Sequence, residues 1–483
     1  MTDKHNQADV AEFLDGVEAN EPKKRYAFDK LADLIAAMNK EVALAPLGRN
    51  MAFVFWNEIG DLIFRNKTDA EIALARYQYV AKDKNGNSMR PVAGFSLWLK
   101  SERRREYKRV VFAPGRIKEK RHELNLWTGW GVKAAKGDWS LLKAHILDNI
   151  CQGDADNYHF LMSVLAQMFQ EPMRKIGICI GLQGDFGVGK SKLSDWLGYI
   201  VRPLHAPAID KPEQLTGRFT GQLENALLAR VEEGFYPGDP GSKAALKHII
   251  TSKRLLVERK GFDAYDTENF TRVLITSNSD WMVPAGAGER RYFILKVGDA
   301  RKKDGKYFAA IDKQMEEGGA EAFLDELLTY DYSDVDFSKP PMTDGLQDQI
   351  RLGFTPEERW WESVLSEGEF PYKDGGAPSE GWEDGSTLKI EKGKVLESFR
   401  DFVPGHRSPA SMQMVGTFLS KNAPGLKETK SKSEGKRHWT LPLLADLRAA
   451  FIKRRPGYVF AADASYEKES AKVGLPNILY QRD

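Results

Sequence analysis

Residues 176–193 read IGICIGLQGDFGVGKSKL, and this stretch decides the fold class. It opens with an apolar run that is typical of a buried strand, and three glycines then fall within residues 184–189. The apolar residues that follow repeat with the spacing of one helix face: Leu193, Trp196, Leu197 and Ile200. The stretch therefore predicts a strand, a glycine-rich loop and a helix in direct succession.

The glycine-rich loop fits a phosphate-binding pattern. Gly184 and the Gly189-Lys190-Ser191 triplet match G-x-x-x-x-G-K-[ST] without a gap. Lys190 would neutralise charge on the β- and γ-phosphates, and Ser191 would be a ligand of Mg²⁺. We therefore predict a site for ATP and Mg²⁺ built on these residues: Gly184, Asp185, Phe186, Gly187, Val188, Gly189, Lys190 and Ser191.

Two further apolar runs end in polar residues that suit nucleotide hydrolysis. Residues 226–233, ALLARVEE, read as a strand that ends in Glu232, assigned to the metal, and Glu233, assigned to the attacking water. The alternative is an ordinary strand before an acidic loop, since Arg230 is unusual in a buried strand. Residues 272–278, RVLITSN, deliver Asn278 at a strand end, where ligands gather in open α/β sheets.

Two arginines precede the next apolar run. Residues 289–295 read ERRYFIL, so Arg290 and Arg291 come directly before a predicted strand. An arginine at this position could reach the γ-phosphate bound by a neighbouring subunit, as an arginine finger. Surface charge before a strand is the simpler interpretation.

The order GDFGVGKS, LLARVEE, LLVERKGFDAY, VLITSN and GERRYFIL resembles that of the superfamily 3 helicases, the hexameric AAA+ motors of small DNA viruses, phages and plasmids. It is most similar to the helicase domains of phage-type primase–helicases. The resemblance implies an α/β AAA+ P-loop core with Asn278 as sensor and Arg290, or failing it Arg291, as finger. The family more often has Asp-Glu or Asp-Asp at the acidic pair, so the choice of metal ligand between Glu232 and Glu233 stays open.

The same resemblance implies a DNA-tracking hairpin at residues 255–261, LLVERKG. Its basic tip residue would project into the central channel of a ring and follow one strand, which points to Lys260, with Arg259 second. Tracking a single strand needs cations on backbone phosphates without base readout. Without the resemblance, a solvated hairpin tip is the simpler interpretation of Lys260.

Residues 387–455 predict short helices followed by a basic hairpin, an arrangement typical of a winged-helix domain. The primase–helicases carry a similar domain at this end. Four cations of the predicted hairpin suit contact with DNA phosphates: Lys430, Lys432, Lys436 and Arg437. A solvated hairpin or a winged helix that docks a protein is the alternative.

Composition limits the remaining possibilities. Lys and Arg number 71 against 69 Asp and Glu, so any nucleic-acid surface must be local. Two cysteines, Cys151 and Cys179, exclude a disulfide framework and a four-thiolate zinc site. The start lacks the pattern of a secretory signal, and no apolar run approaches the roughly 20 residues of a membrane span. We therefore expect a soluble protein of the bacterial host cytosol with no membrane partner.

Changes of pattern along the chain predict its domain organisation. A mixed α+β N-terminal domain precedes the ATPase core, and a winged helix follows it. The Asp154-Ala-Asp156 cluster reads as a helix cap and not as a metal site. The predicted order is a flexible N-terminus (1–25), an N-terminal accessory domain (26–150), the AAA+ ATPase domain (151–345), a linker region (346–386), the winged-helix domain (387–455) and a C-terminal tail (456–483).

The sequence thus predicts an ATP-dependent DNA helicase of a phage or mobile element. Its subunits would form a ring, expected to be a hexamer, that moves on single-stranded or forked DNA beside a separate primase or polymerase. Three alternatives remain open. They are an AAA+ ATPase that remodels or loads proteins without unwinding, a P-loop kinase of small molecules, and a winged-helix repressor with a vestigial ATPase.

Overall fold

The computed structural model describes residues 25–58, 60–116, 120–211, 213–216, 220–232, 240–258, 264–286, 288–372, 380–383, 385–403, 410–430, 436–456 and 458–460. The chain divides into two compact units. Met1–Gly129 and Leu256–Glu268 form the first, and Trp130–Leu255 and Asn269–Asp483 form the second.

The first unit combines short strands with helices. Its elements are β1 (Tyr26–Phe28), α1 (Leu31–Glu41), β2 (Val42–Leu47), β3 (Asn50–Trp56), β4 (Leu62–Arg65), α2 (Lys67–Leu74), β5 (Tyr77–Tyr79), β6 (Val92–Ala93), α3 (Gly94–Lys100), β7 (Arg109–Val111) and β8 (Glu123–Asn125). Strands β2, β3 and β4 form an antiparallel sheet in that order. Because side chains alternate along a strand, Phe53 and Phe55 of β3 join the cluster around Trp98, whereas Val54 and Trp56 join a second cluster around Leu124.

A five-stranded parallel sheet forms the centre of the second unit. Its strands are β9 (Cys179–Gln183), β10 (Ala208–Ile209), β11 (Leu228–Glu232), β14 (Arg272–Ser277) and β15 (Tyr292–Lys296), in the spatial order β10-β11-β14-β9-β15. This sheet confirms the predicted mixed α/β fold with parallel strands. Arg230 is accommodated in β11 because its guanidinium donates to Asp195 (3.0 Å) and to the Ala206 carbonyl (3.1 Å).

Helices and connecting turns accompany this sheet in the second unit. They are α4 (Ser140–Ala144), a π-helical turn (His145–Ile150), α5 (Ala155–Gln170), α6 (Lys190–Val201), α7 (Glu213–Thr216), a 3₁₀ turn (Gly221–Leu223), α8 (Pro240–Thr251), α9 (Gly305–Gln314), a kinked turn (Met315–Gly319), α10 (Ala320–Thr329), α11 (Asp344–Leu352) and α12 (Pro356–Glu367). Along the chain, the strands β12 (Arg254–Val257) and β13 (Tyr265–Glu268) lie between α8 and β14, and the segment Leu256–Glu268 belongs to the first unit. Asp154 caps α5 by accepting the backbone N–H of Asn157, as predicted for the Asp154-Ala-Asp156 cluster.

The last elements are small strands and three helices within the described residues. They are β16 (Glu369–Phe370), β17 (Glu380–Gly381), β18 (Leu388–Glu391), α13 (Lys392–Phe402), α14 (Met412–Asn422), β19 (Lys427–Lys430), β20 (Arg437–Leu441) and α15 (Leu444–Arg454). Strands β18, β20 and β19 form an antiparallel sheet in that spatial order. The predicted helices and the hairpin that follows them are therefore present.

Two predicted boundaries differ from the structure. Residues 130–150 belong to the second unit and not with the N-terminal domain. Residues 346–367, predicted as linker, lie in α11 and α12. The predicted linker begins too early in the chain, because the Gly- and Pro-rich stretch that suggested it starts only after residue 372. The side chains of Trp360 and Trp361 are fully buried, as in a packed helix and not in a linker. In the described part of the chain, no helix has the length and apolar character that a bilayer crossing requires.

Candidate functional site

Three strand ends meet at the carboxyl edge of the parallel sheet. In register, Glu232 of β11 pairs with Thr276 of β14, and Ser277 of β14 pairs with Gln183 of β9. The residues that follow these ends are therefore neighbours, although they are far apart in the chain. Gly184 begins the glycine loop (residues 184–191) directly after β9, and Asn278 directly follows β14.

The glycine loop requires glycine at two of its positions. Gly187 and Gly189 have positive φ angles of 80° and 90°, which favour glycine. A Cβ at Gly189 would lie 2.4 Å from the ring of Phe308 and 2.7 Å from that of His145. The loop thus leads into α6 with its backbone pressed against aromatic side chains.

Lys190 joins the glycine loop to Asn278. The side chain is 8% exposed, and its ammonium donates to the carbonyls of Gly184 and Asp185, each at 2.7 Å. It also donates to the amide oxygen of Asn278 at 2.5 Å. The cation predicted to neutralise phosphate charge therefore lies beside the predicted sensor.

A cavity of about 550 Å³ opens over these residues. The predicted residues Lys190, Ser191, Glu232 and Asn278 line it together with several that were not predicted: Lys192, Thr276, Lys303, Gly305 and Phe308. Glu233, predicted to polarise the water, lies outside the described residues. The volume is within the range of small-molecule sites.

The residues of this cavity fit a nucleotide with Mg²⁺. Backbone N–H groups at the start of α6 and the ammonium of Lys190 suit a triphosphate. The hydroxyl of Ser191 and the carboxylate of Glu232 are oxygen ligands of the kind Mg²⁺ prefers. Because Mg²⁺ in such sites keeps waters and phosphate oxygens as its other ligands, two protein oxygens are enough.

The π-helical turn His145–Ile150 supports the glycine loop from behind. The amide of Asn149 donates to the Val188 carbonyl at 2.8 Å, and the Nε2 of His145 lies 3.1 Å from the Gly189 carbonyl. The hydroxyl of Tyr307 lies 3.3 Å from the other ring nitrogen of His145. Burial lowers the pKa of His145 from its ordinary value, so the neutral ring that can donate to Gly189 is favoured.

The segment before α9 contacts the loop from the other side. The backbone N–H of Lys303 donates to the Gly187 carbonyl at 2.8 Å, and Lys302 pairs with Asp185. The ammonium of Lys302 holds the pKa of the Asp185 carboxyl below its usual range. Sequence reasoning missed these contacts because they are formed between residues more than a hundred positions apart.

Arg290 and Arg291 lie at the opposite edge of the sheet. Tyr292 pairs with Cys179, the first residue of β9, so the full length of that strand separates the arginines from the glycine loop. Five residues of strand span roughly 16 Å at about 3.3 Å per residue. Arg291 forms a bidentate pair with the buried carboxylate of Glu289, whereas the Arg290 side chain is exposed. Neither lines the cavity.

The predicted DNA contacts are described only in part. Lys260, Arg259 and Lys432 lie outside the described residues. Lys430 is exposed at the end of β19. Lys436 pairs with Glu391 at 2.9 Å and Arg437 with Glu428 at 3.7 Å, so part of the charge of this hairpin is neutralised within the chain.

Comparisons with known proteins describe the fold. The sequence profile of a protein family of unknown function (DUF5906) matches residues 182–291. No curated protein matches the chain. The apo structure of the NrS-1 C-terminal region (305–718) is similar with a TM-score of 0.60 and 17% identity, over 86% of this chain and 99% of that chain. Two A-form apo structures of that region give a TM-score of 0.59 and 16% identity, over 85% and 86% of this chain. The chain thus shares its fold, a mixed α/β architecture with a parallel sheet, with the NrS-1 C-terminal region.

Proposed function

We propose that the protein is an ATP-dependent DNA helicase of a phage or mobile element, of the superfamily 3 type. One observation carries this proposal. The ammonium of Lys190 lies against the amide of Asn278, and Ser191 and Glu232 line the same cavity. Lys190 and Ser191 begin α6, Glu232 ends β11 and Asn278 directly follows β14. Together these side chains suit the binding and cleavage of a triphosphate.

The strand order supports an AAA+ core over a small-molecule kinase. Strand β14 lies between β9 and β11, so its last residues reach the space between the glycine loop and Glu232. A polar residue at that point can contact the γ-phosphate or the attacking water. Asn278 has this position, as the resemblance to superfamily 3 helicases implies.

In this mechanism, the chain's own residues bind, orient and respond. Lys190 and the N–H groups of the glycine loop would hold the phosphates. Ser191 and Glu232 would hold Mg²⁺, which would supply positive charge beside the phosphates. Asn278 would orient the attacking water. Arg290 would act on the nucleotide of a neighbouring subunit, because it lies at the far edge of the sheet from its own cavity.

DNA is the proposed partner. The elements β18, α13, α14, β19 and β20 follow the order of a winged helix, and Lys430 is exposed at the hairpin, where it could contact a phosphate. The proposed ring would track one strand through the hairpin tip at Lys260. A separate primase or polymerase is part of the same proposal.

A protein-remodelling AAA+ ATPase is the second candidate. The observation that favours it is the pairing of Lys436 with Glu391 and of Arg437 with Glu428. A winged helix with internally paired cations has less charge to offer a polyanion and more reason to dock a protein surface.

The test measures ATP hydrolysis with and without single-stranded DNA, and the unwinding of forked DNA. We expect DNA to stimulate ATP hydrolysis by the wild type. Lys190→Ala and Asn278→Ala should each lower the hydrolysis rate about a hundredfold. Lys260→Ala should keep nucleotide binding but lose unwinding. Lys313→Ala is the matched control, because Lys313 is exposed and outside the cavity.

The outcomes separate the candidates. Hydrolysis that DNA does not stimulate, with no unwinding by the wild type, would support the protein-remodelling candidate. A Lys190→Ala variant with the wild-type rate would contradict any ATPase at this site.

A further inference from the structure

The first unit contains a cavity of about 800 Å³ that the proposed ATPase site does not use. It lies where β3, β4 and α2 end and beside the last residue of α1. Its lining combines aromatic and aliphatic side chains with three arginines and two glutamates: Phe55, Trp56, Ile63, Ile72, Arg25, Arg65, Arg76, Glu41 and Glu58.

Arginine guanidinium groups lie over aromatic rings at this cavity. The Cζ of Arg65 is 4.9 Å from the centroid of the Phe55 ring. The Cζ of Arg105, which is not part of the cavity lining, is 4.2 Å from the centroid of the Trp56 ring. The Arg105 guanidinium also donates to the hydroxyl of Tyr107 at 2.6 Å. The rings and the cations are thus held in place before any ligand binds.

The charge at the cavity is only partly neutralised by the chain. Arg76 pairs with Glu41, which also accepts from the hydroxyl of Tyr77. Glu58 also lines the cavity, but no ion pair joins it or another carboxylate to Arg65 among the residues that the structure describes. Arg65 is therefore available to an anion, whereas the Arg105 guanidinium is held by the hydroxyl of Tyr107 and the ring of Trp56.

The walls of the cavity leave apolar surface open. Ile63 is 38% exposed and Ile72 is 71% exposed, and both line the cavity. A nucleotide has a base with flat apolar faces and an anionic phosphate. The aliphatic walls and half-buried rings of the cavity suit the base, and the guanidinium of Arg65 suits the phosphate.

We propose that this cavity binds a nucleotide unit of single-stranded nucleic acid. A base stacks at Phe55 or Trp56, and the adjacent phosphate contacts Arg65. Stacking on a ring and ionic contact with a phosphate are open to every base, so we expect the site to be tolerant of sequence. Binding here does not depend on ATP hydrolysis.

The first experiment maps contacts by photocrosslinking. Single-stranded DNA that carries 5-iododeoxyuridine is irradiated with the full chain bearing Lys190→Ala and Lys260→Ala, so that neither hydrolysis nor the predicted hairpin contributes. We expect crosslinked peptides that contain Phe55 or Trp56. Crosslinks confined to the second unit would overturn the proposal, whatever the outcome for the helicase.

The second experiment measures the affinity of the same double variant for an oligothymidylate by fluorescence anisotropy. Trp56→Ala should weaken binding about tenfold and Trp56→Phe should restore most of it, because the stacking face returns. Arg65→Ala should weaken binding about fivefold and lower the salt dependence, whereas Arg65→Lys should retain the salt dependence. Arg90→Ala is the matched control, because Arg90 is exposed and outside the cavity lining.

Competition distinguishes the sources of the ligand chemistry. Free thymidine monophosphate that displaces the oligonucleotide at comparable concentration would assign the site to free nucleotides. Displacement by an oligoglutamate peptide with equal efficiency would show that charge alone is read and would overturn the proposal. Equal affinity of Trp56→Ala, Arg65→Ala and Arg90→Ala would overturn it as well.

Discussion

Lys190 and Asn278 are 88 positions apart, and yet the ammonium of one donates to the amide oxygen of the other. If a phosphate binds beside them, the Lys190 ammonium can donate to it in place of Asn278, because an ammonium has three N–H donors. The amide oxygen of Asn278 is then available to accept from another donor. The two arginines before β15 also differ in their surroundings. Arg291 has a structural partner in Glu289, whereas the side chain of Arg290 is exposed.

The two arginines should therefore differ when each is replaced by alanine. Arg291→Ala leaves the carboxylate of Glu289, 3% exposed, without its bidentate partner, so we expect a loss of about 2 kcal/mol in the free energy of unfolding. Arg290→Ala should leave stability unchanged and lower ATP hydrolysis by the assembled protein. Chemical denaturation and steady-state hydrolysis measure the two effects. Equal stability of both variants would contradict the structural role of Arg291.

A mixing experiment tests whether Arg290 acts on a neighbouring subunit. Chains with Arg290→Ala are combined with chains that carry Lys190→Ala. If one chain supplies the nucleotide loop and the next supplies the arginine, some interfaces in the mixture are intact and hydrolysis is partly recovered. Mixtures with no more activity than the separate variants would argue against a shared site.

At the element scale, the π-helical turn His145–Ile150 holds the glycine loop by its carbonyls. The donors of His145 and Asn149 are four residues apart and reach Val188 and Gly189, which are consecutive. This arrangement fixes the loop while leaving its N–H groups for a ligand. The turn thus acts as a positioning element for the predicted nucleotide site.

His145→Ala should weaken nucleotide binding without removing the groups that contact the nucleotide. We expect the dissociation constant for an ATP analogue to rise about fivefold, in line with the loss of one hydrogen bond. His159→Ala is the matched control, because His159 pairs with Tyr330 and Asp334 away from the loop. Isothermal titration calorimetry measures both. An unchanged affinity in His145→Ala would contradict the positioning role.

The same histidine predicts a pH dependence of stability. Burial lowers the pKa of His145 below its ordinary value of 6.5. Just below pH 6.5, the imidazole therefore stays neutral in the folded protein but takes up a proton in the unfolded protein. Its contribution to stability is therefore full above about pH 6.5 and is lost as the pH falls through the lower folded value. We expect the melting temperature to fall less between pH 7.5 and 5.5 in His145→Gln than in the wild type. A steeper fall in the variant would contradict the lowered pKa.

At the scale of the whole molecule, the end of the chain is built around α12. Trp360 is fully buried, its indole N–H donates to Ser398 at 3.1 Å, and its ring meets that of Phe399. Arg455 pairs with Glu358 at 2.6 Å. Helix α12 therefore packs with the elements after residue 387, and the stretch between them does not separate two independent parts.

Truncation at two positions tests this packing. A chain that ends after residue 386 loses the partners of Trp360 and exposes its indole, so we expect binding of a hydrophobic dye and a lower melting temperature. A chain that ends after residue 353 removes Trp360 and Trp361 as well and should bind less dye. Dye fluorescence and thermal unfolding measure the difference. A chain cut after residue 386 that melts like the full chain would show that the two parts are independent.

Local sequence patterns were enough to predict the glycine loop, the strand and helix beside it, and the hairpin after α14. The residues of the glycine loop, Gly184 to Ser191, lie within eight positions of one another. The spacing of apolar residues on either side predicts β9 and α6, because sterics and side-chain periodicity act over a few residues. Asn278 was found for the same reason, as the polar end of an apolar run. The hairpin after α14 also followed from local pattern.

Which distant residues meet follows from the tertiary structure and not from local sequence. It placed β14 between β9 and β11, brought His145 and Asn149 behind the glycine loop, and paired Arg291 with Glu289 while leaving Arg290 exposed. It also buried Trp360 against Phe399, which moved the predicted linker boundary. Such contacts depend on the packing of whole elements, whose free energy is spread over many apolar side chains and leaves no short pattern in the sequence.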